Sequence, residues 1–438
     1  MTDSLFPLPE AKRPVVDSAE TPARVQRPNR TQLEFRPVDL EALLPDDHRA
    51  RVVWEFVEGL DLGPFYEAIK AVEGHAGRPA IDPAILMALW LYATLEGVGS
   101  ARAVARLCEE HDAYRWICGG VTVNDHTLAD FRVAQPARLD GLLTTSVATL
   151  LAQGLVELTR VAQDGVRVRA SAGGASFRRE ERLQPALAAA TAQVTALREH
   201  LESDPGTPAR RQAAAQRRAA EERRRRVAEA LAQMPEFEAR RKKAGGKGPA
   251  RLSTTDPDAR VMQMPDSGFR PAFNGQFMAT TQGQVIVGVA VTNAGTDHGQ
   301  LGRMVDQVQR RYGRAPREVL ADGGFVDLDD LRALAQTAPG CQMYLPPKER
   351  DDPTRAPVRR PDDPTIAEWR QRMRTEAGQG IYRERAATSE CINAQARNRG
   401  LRQFLVRGLD RVRAAVLWYA LAQNLLSGAR LRAAAHAM

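Results

Sequence analysis

The sequence is poor in cysteine, and its few cysteines are not arranged for a metal or for disulfides. The four thiols, Cys108, Cys118, Cys341 and Cys391, are scattered over 438 residues and form no CxxC pair. Zinc ribbons need such pairs, and disulfide frameworks belong to short chains with closely spaced cysteines. The sequence therefore predicts neither, and four reduced thiols are expected.

Long apolar runs and a secretion signal are also missing. The longest apolar stretch, residues 85–93, is much shorter than the roughly 20 residues that a membrane-spanning helix needs, and we expect it to form a core helix. The N-terminus lacks the pattern of a signal peptide. These absences predict a cytoplasmic protein without a membrane partner.

Acidic residues are outnumbered by basic ones, 54 against 62, which gives a net charge of +8 and a pI of about 9.6. Arg supplies most of the positive charge, and its planar guanidinium suits phosphate contacts. Such a surface attracts polyanions. The length fits two or three domains with a sizeable core.

The first third of the chain divides into an arm and a helical region. Residues 1–34 are rich in Pro and charge and are predicted to be a disordered arm. Residues 35–155 are predicted to be an all-helical, DNA-binding domain, in which Asp82 caps a helix that starts at Pro83 and Thr127 caps another. Short helices with tight turns fit a helix-turn-helix unit, but they also fit a plain helical bundle.

A strand pattern at residues 161–169 contains the first candidate site residue. Alternation places Asp164 on the same face as Ala162, Val166 and Val168. A carboxylate on an apolar face is costly unless a cation or a hydrogen-bond donor holds it. The position therefore indicates a functional role for Asp164.

Residues 178–251 change to a composition of Ala, Glu, Gln and Arg. They are predicted to form a basic helical insertion, folded as a hairpin with a break at residues 203–206. A run of charge is commonly a solvated helix face. Four adjacent arginines surround the helix, however, and favour contact with nucleic acid; these are Arg223, Arg224, Arg225 and Arg226.

Residues 252–345 are predicted to be mixed α/β. Residues 285–291 are almost wholly apolar, as expected for a central strand. A helix begins near Asp297 and Gln300 and carries an apolar stripe. Further strands are predicted at 269–281, 317–325 and 341–345, a short helix at 328–336, a loop at 346–380, and helices from Tyr382 to the C-terminus.

Two more carboxylates are candidates. Asp322 ends the strand at 317–325, where a Gly pair begins a turn, and open sheets expose functional groups at such strand ends. Glu390 lies in the last helical region. Each carboxylate also has an ordinary explanation: a salt-bridged strand residue for Asp164, a turn-former for Asp322 and a solvent-facing helix residue for Glu390. Asp256 and Asp258 are predicted to form a turn.

The separations are 158 residues between Asp164 and Asp322 and 68 between Asp322 and Glu390, so only a fold can bring the three together. The order strand, insertion, strand, strand, helix, strand, helix, strand is that of a ribonuclease H-like core. The predicted fold class is an α/β ribonuclease H-like catalytic core (residues 156–177 and 252–405) with a helical hairpin insertion, an all-α N-terminal domain and C-terminal helices (residues 406–438).

The ordered motifs resemble those of DDE transposases of bacterial insertion sequences. Asp164-Gly resembles their first acidic motif, residues 319–325 the second, and Tyr382, Arg385 and Glu390 the third, a Tyr–Arg–Glu–Lys signature. The resemblance covers most of the chain beyond the arm. Other blocks similar to one branch of the family lie at residues 77–79, 89–92, 115–120, 125–128, 255–260 and 268–274.

Two positions depart from the third motif. The signature lysine is replaced by Arg397, which keeps the charge but changes the geometry. The gap between Arg385 and Glu390 is one residue wider than in the signature, which leaves Glu384 as a rival third acid.

The resemblance implies a transposase that binds the terminal inverted repeats of its insertion sequence, cleaves the DNA at the ends and joins the 3′-hydroxyl ends to target DNA. The implied cofactor is a pair of Mg²⁺ ions about 3.5–4 Å apart, for which Mn²⁺ substitutes. Asp164 would bridge both ions, while Asp322 and Glu390 would hold one each.

The implied partners are transposon-end DNA and target DNA, without a small-molecule substrate. Tyr382, Arg385 and Arg397 would position the DNA end through phosphate contacts. Pairing two ends implies a homodimer in the active complex, cytoplasmic and bound to the nucleoid. Two other functions remain open: a catalytically silent DNA-binding relative that acts as a repressor, and a nuclease of the same fold without strand transfer.

Overall fold

The computed structural model describes residues 31, 39–69, 71, 79–203, 210–243, 245–246, 248–347 and 363–437. The predicted arm lies outside these residues except for Thr31. Leu40–Met438 form one compact unit, and the domain boundaries predicted within it remain predictions.

Seven described α-helices precede the first strand, and helices and strands are interspersed in the rest of the described chain, as in a mixed α/β protein. The described helices are α1 (Arg49–Glu58), α2 (Gly63–Tyr66), α3 (Pro83–Leu95), α4 (Ala101–Glu110), α5 (Asp112–Cys118), α6 (Asp125–Ala134), α7 (Pro136–Ala152), α8 (Glu180–Ser203), α9 (Arg210–Lys243), α10 (Leu301–Tyr312), α11 (Leu328–Thr337), α12 (Pro364–Arg374), α13 (Glu376–Asn398) and α14 (Leu409–His436). The described strands are β1 (Arg160–Arg169), β2 (Phe177–Arg178), β3 (Leu252–Ser253), β4 (Arg260–Gln263), β5 (Phe269–Thr280), β6 (Ile286–Thr292), β7 (Glu318–Leu320) and β8 (Gln342–Tyr344).

Capping side chains determine where the N-terminal helices begin. Asp82 accepts a hydrogen bond from the Ala84 N–H at 2.8 Å, and Pro83 occupies the first turn of α3, which confirms that prediction. The predicted Thr127 cap is wrong. Asn124 caps α6 instead, because its side-chain oxygen accepts the Thr127 N–H at 2.8 Å.

The main sheet has the strand order β4-β5-β1-β7-β8, and β6 also pairs with β5. β1 and β6 run antiparallel to β5, whereas β7 runs parallel to β1 and β8 parallel to β7. The parallel pairing of β7 covers only Arg160, Val161 and Ala162 of β1. The remainder of β1 therefore extends beyond the end of β7.

The expectation that residues 285–291 form a central strand is wrong in one respect. β6 lies outside the main strand path and pairs with β5. It is apolar because helices cover both of its faces, through α10 and α14. Its backbone is also capped: Asn424 bonds to the N–H and C=O of Ile286, both at 2.7 Å, and Gln307 bonds to those of Val289, both at 2.9 Å. These amides protect the strand from pairing with another chain.

The loop predicted at residues 346–380 is wrong from residue 363 onwards. Asp363 caps α12 by accepting the Ile366 N–H at 3.1 Å, and Pro364 occupies the first turn. The helix buries Ile366, Trp369 and Met373, so a sequence rich in charge and proline still supplies an apolar face. Residues 348–362 lie outside the described part of the chain.

Helix α14 lies in the main hydrophobic core, which also includes residues of α1, α3, α6, β1 and β5. Trp418 contacts the rings of Trp90 and Phe131 and donates a hydrogen bond to the Arg132 carbonyl at 3.0 Å. The N-terminal helices and the sheet therefore share one core. No described helix has the length and apolarity required to cross a bilayer.

The insertion consists of α8 and α9, which pack on each other through a small apolar cluster that includes Leu183, Val227 and Met234. Helix α8 ends at Ser203 and α9 begins at Arg210, and most of the predicted break lies outside the described residues. The hairpin is inserted between β2 and β3, which pair with each other, at the place where the composition changes.

The turn predicted around Pro257 is present, since the Ala259 N–H donates to the Asp256 carbonyl at 3.1 Å. Its two carboxylates also hold the start of α14. Asp256 accepts the Gly408 N–H at 3.2 Å, and Asp258 accepts the Leu409 N–H at 2.9 Å. These aspartates therefore have a structural task apart from the candidate site.

Candidate active site

Asp164 and Asp322 come together because the parallel pairing of β1 with β7 is in register and stops two residues before each of them. Ala162 of β1 pairs with Leu320 of β7. Asp164 follows Ala162 by two residues, and Asp322 follows Leu320 by two residues. Both aspartates therefore lie at the same edge of the sheet. Functional groups gather at this carboxyl edge in open sheets. The juxtaposition across 158 residues was predicted from the sequence, and the register of the strands produces it.

Two hydrogen-bond donors and one guanidinium surround the Asp164 carboxylate, whose side chain is 19% exposed. Its Oδ1 accepts the N–H of Gly165 at 2.8 Å. Its Oδ2 accepts a hydrogen bond from Asn393 Nδ2 at 3.1 Å and lies 3.6 Å from a guanidinium nitrogen of Arg385. Both of the latter residues belong to α13. The helix therefore packs its polar side against the strand that carries Asp164.

The pKa of Asp164 is raised from its ordinary value to about 6, mainly because burial disfavours the charged form. The negative charges of Asp322 and Asp297 raise this pKa further, while Arg385 and the Gly165 N–H lower it. Asp322 and Asp297 therefore act electrostatically on Asp164, and the Arg385 guanidinium, whose effect on this pKa is larger than that of either aspartate, does not offset burial.

Asp322 also shapes the turn that follows β7. Its Oδ1 accepts the Gly324 N–H at 2.7 Å and begins a 3₁₀ turn over Gly323–Phe325. The sequence left a turn-forming role open, and that role is present. It does not exclude a second one, because the carboxylate also acts electrostatically on Asp164.

The two rivals for the third acid lie in different places on α13. Glu384 pairs with Arg160, which precedes Asp164 by four residues, about 13 Å along a strand. Glu390 is exposed, and no hydrogen bond or ion pair joins it to the aspartates in the described residues. It lies one helical turn before Asn393, which contacts Asp164. Glu390 thus lies one turn from an Asp164 contact and pairs with no described residue, whereas Glu384, although next to Arg385, is engaged by Arg160.

The residues predicted to bind DNA are only partly exposed. Tyr382 is half-buried, Arg397 is exposed, and Arg385 contacts Asp164. In α9, Arg223 and Arg224 are exposed. The other two arginines of the run form ion pairs within the helix: Arg225 with Glu222 at 2.9 Å and Glu229 at 3.2 Å, and Arg226 with Glu222 at 3.3 Å.

Two residues near the aspartates were missed by the sequence reasoning. Asn393 is a neutral side chain within a long helix, and its only signal is its place one turn after Glu390. Asp297 was interpreted as a helix start. In the structure its Oδ1 accepts hydrogen bonds from Asn274 at 2.7 Å and Gln276 at 2.6 Å, two amides of β5. No sequence pattern linked β5 to this loop.

The chemistry of these side chains fits a hard divalent cation, although the side chains do not converge into a preformed cage. Within the described ranges, no group of three or more His, Cys, Asp or Glu residues is placed to hold a metal. Asp164 and Asp322 nevertheless offer half-buried carboxylate oxygens at one edge, and Mg²⁺ prefers few carboxylates together with water. The side-chain oxygen of Asn393 is also buried without a donor.

The raised pKa of Asp164 predicts how stability depends on pH in the cation-free protein. The folded chain keeps this proton up to about pH 6, whereas the unfolded chain releases it near pH 4. The free energy of unfolding therefore falls as the pH rises between these values. Asp164→Asn mimics the protonated form and is expected to raise the unfolding free energy at pH 8, by up to about 3 kcal/mol, but not at pH 4.

Denaturant unfolding in EDTA at both pH values measures this effect. Asp306→Asn is the matched control, since Asp306 is exposed and pairs with Arg310 on the surface of α10. An equal stability change at pH 4 and pH 8 would contradict the prediction.

Comparison with known protein families adds independent information. Residues 38–134 match the family described as transposase domain DUF772, and residues 348–427 match the family described as transposase DDE domain. The second match contains Arg385, Glu390 and Asn393. No curated protein and no solved structure matches the chain significantly.

Proposed function

The two matched domains indicate an insertion-sequence transposase of the DDE type, which is a DNA-cleaving enzyme. We propose that this protein binds the terminal inverted repeats of its own element. It cleaves the DNA at these ends and joins the 3′-hydroxyl ends to target DNA. The observation that carries this proposal is the meeting of Asp164 and Asp322 two residues beyond a parallel strand pair.

We further propose that the catalytic core is ribonuclease H-like. The strand order β6-β5-β1-β7-β8 supports this assignment. Neighbouring strands among β6, β5 and β1 are antiparallel, and β7 and β8 run parallel to β1. The first strand is central and carries Asp164, and its parallel neighbour leads into Asp322. The insertion of α8 and α9 between β1 and β5 leaves this order intact.

The proposed cation ligands are Asp164, Asp322 and Glu390, and the proposed cofactor is Mg²⁺, as two ions. Divalent cations of this kind activate the attacking oxygen and stabilise the leaving oxygen of a phosphodiester. Glu390 is exposed and pairs with no described residue. Its placement one turn from Asn393 supports its selection over Glu384.

The protein's own residues prepare the site for this chemistry. Arg385 and Asn393 orient the Asp164 carboxylate, and burial limits the number of waters that compete for it. With its pKa at about 6, Asp164 is mainly ionised at neutral pH. An ionised carboxylate is the form that holds a cation.

DNA recognition is proposed to use the exposed cations. Arg397, Arg223 and Arg224 are free of the helix pairs that engage Arg225 and Arg226, so they are available for phosphate contacts. A homodimer is proposed for the active complex, because cutting and joining two transposon ends requires two catalytic sites held together.

The proposal is tested with purified full-length protein and a duplex that carries the DNA flanking its gene. Nicking at the ends and joining to a plasmid are expected with Mg²⁺ and are expected to be lost in EDTA or with a scrambled end sequence. Cutting without joined product would indicate a nuclease. Tight, sequence-specific binding without cutting would indicate a repressor-like relative, and either result would reject strand transfer.

A further inference from the structure

Asp297 is held unusually firmly for a partly exposed loop residue. The amides of Asn274 and Gln276 both donate to the same oxygen, Oδ1. No described residue donates a hydrogen bond to Oδ2. Two fixed donors on one oxygen restrict rotation of the carboxylate, so its second oxygen is held in place with lone pairs available.

The space beside Gly165 explains why this position lacks a side chain. A Cβ atom there would lie 2.7 Å from Gln276 Nε2 and 2.8 Å from Asn274 Oδ1, and closer still to Asp297 Oδ1. Such distances are below normal contact. Gly165 does not have a positive φ, so space and not backbone conformation requires glycine. The Asp297 carboxylate therefore packs directly against the residue that follows Asp164.

A buried oxygen without a partner faces the same volume. Asn274 is fully buried, and its Oδ1 has no hydrogen-bond donor, although its amide nitrogen is bonded to Asp297. Leaving such an oxygen unpaired is costly. Amide and carboxylate oxygens are ligands that hard divalent cations accept, and a bound cation with its waters would satisfy this atom.

Asp164 and Asp297 lie on opposite faces of β1, but both lie beside the edge of the strand where a single ligand can be held. Asp164 and Gly165 face opposite sides of β1, so Asp297 approaches from the face opposite to α13. Past Ala162, however, β7 no longer pairs with β1. Between Ala162 and the bridge of Arg169 to Gln403, no described strand pairs with this side of β1, so a ligand at this edge would be reached from either face, and Asp322 lies there as well.

We propose that Asp297 is a fourth carboxylate of the cation site, and that Asn274 and Gln276 are the residues that position it. The inference rests on the proposed function, because it assigns a further residue to the same divalent cation. Asp322 and Asp297 both act electrostatically on the Asp164 carboxylate, whose contacting cation is Arg385, and a divalent cation would relieve this repulsion.

The decisive variant is Asp297→Asn, because it removes the charge and keeps Oδ1 as an acceptor for both amides. Mn²⁺ alone is titrated into the full-length protein, and free Mn²⁺ is measured by electron paramagnetic resonance. We expect the variant to bind Mn²⁺ at least about tenfold more weakly than wild type. Asp306→Asn, on the exposed side of α10, is expected to bind as wild type does.

Gly165→Ala provides a second route that leaves every acidic residue in the sequence. Its Cβ would displace the Asp297 carboxylate, so Mn²⁺ binding is expected to weaken by a similar factor. Thermal unfolding identifies any variant that fails to fold. If both folded variants bind Mn²⁺ within about twofold of wild type, Asp297 is not a ligand and the inference is wrong.

Asp164→Asn separates this failure from failure of the proposed function. Weak Mn²⁺ binding in Asp164→Asn together with normal binding in Asp297→Asn would reject the inference and leave the proposed site intact. Unchanged binding in Asp164→Asn would reject the cation site itself, and the inference with it.

Discussion

Asp164→Asn and Asp322→Asn are each expected to abolish both the cutting of transposon ends and their joining to target DNA. Both carboxylates lie at the same sheet edge, and each exchange removes a charged oxygen without changing the size of the side chain. Because metal-dependent phosphoryl transfer depends on such ligands acting together, we expect a loss of at least roughly a thousandfold in each variant. Gel assays of nicked and joined products measure the effect.

End binding serves as the internal control for these variants. Both are expected to bind the transposon-end duplex as wild type does, because phosphate contacts come from cationic side chains elsewhere. Asp306→Asn is again the matched acid-to-amide control and is expected to keep full activity. Cutting that persists in both site variants would show that the site is misassigned.

The second large effect separates the two candidate third acids. Glu390→Gln is expected to reduce cutting and joining by at least roughly a thousandfold, whereas Glu384→Gln is expected to leave them within about threefold of wild type. The reason is geometric: Glu384 pairs with Arg160 near the start of β1, and Glu390 lies one turn from Asn393, which contacts Asp164.

The two glutamates are well matched, since both are exposed and both lie on α13. Glu384→Gln is expected to lower thermal stability only modestly, because Arg160 keeps Glu318 as a partner. The opposite pattern of activities, with Glu384 essential and Glu390 dispensable, would move the third acid by almost two helical turns and reverse the assignment.

Local patterns predicted the elements that carry the site. The strands at Asp164 and before Asp322 were evident from alternation and from the Gly pair, and the apolar stripe beginning at Leu301 predicted α10. These signals lie within a few residues of one another, so they are visible without knowledge of the fold.

The two larger errors, at β6 and at residues 363–374, concern burial, which depends on neighbours that are distant in the chain. β6 looked central because it is apolar, but its burial comes from α10 and α14 and not from a strand on each side. Residues 363–374 looked like a loop, yet Ile366, Trp369 and Met373 find an apolar surface to bury against. Composition alone does not reveal such a surface.

The sequence by itself determined that Asp164 lies in a strand and that Asp322 follows one, that Asp82 caps α3, and how strongly basic the chain is, because these properties depend on adjacent residues. Only the tertiary structure decided which side chains surround Asp164. Asn393 is 229 residues away in the chain, and Asp297 lies there because two amides of β5 hold it against Gly165. Such contacts follow from strand register and helix packing, which no local pattern specifies.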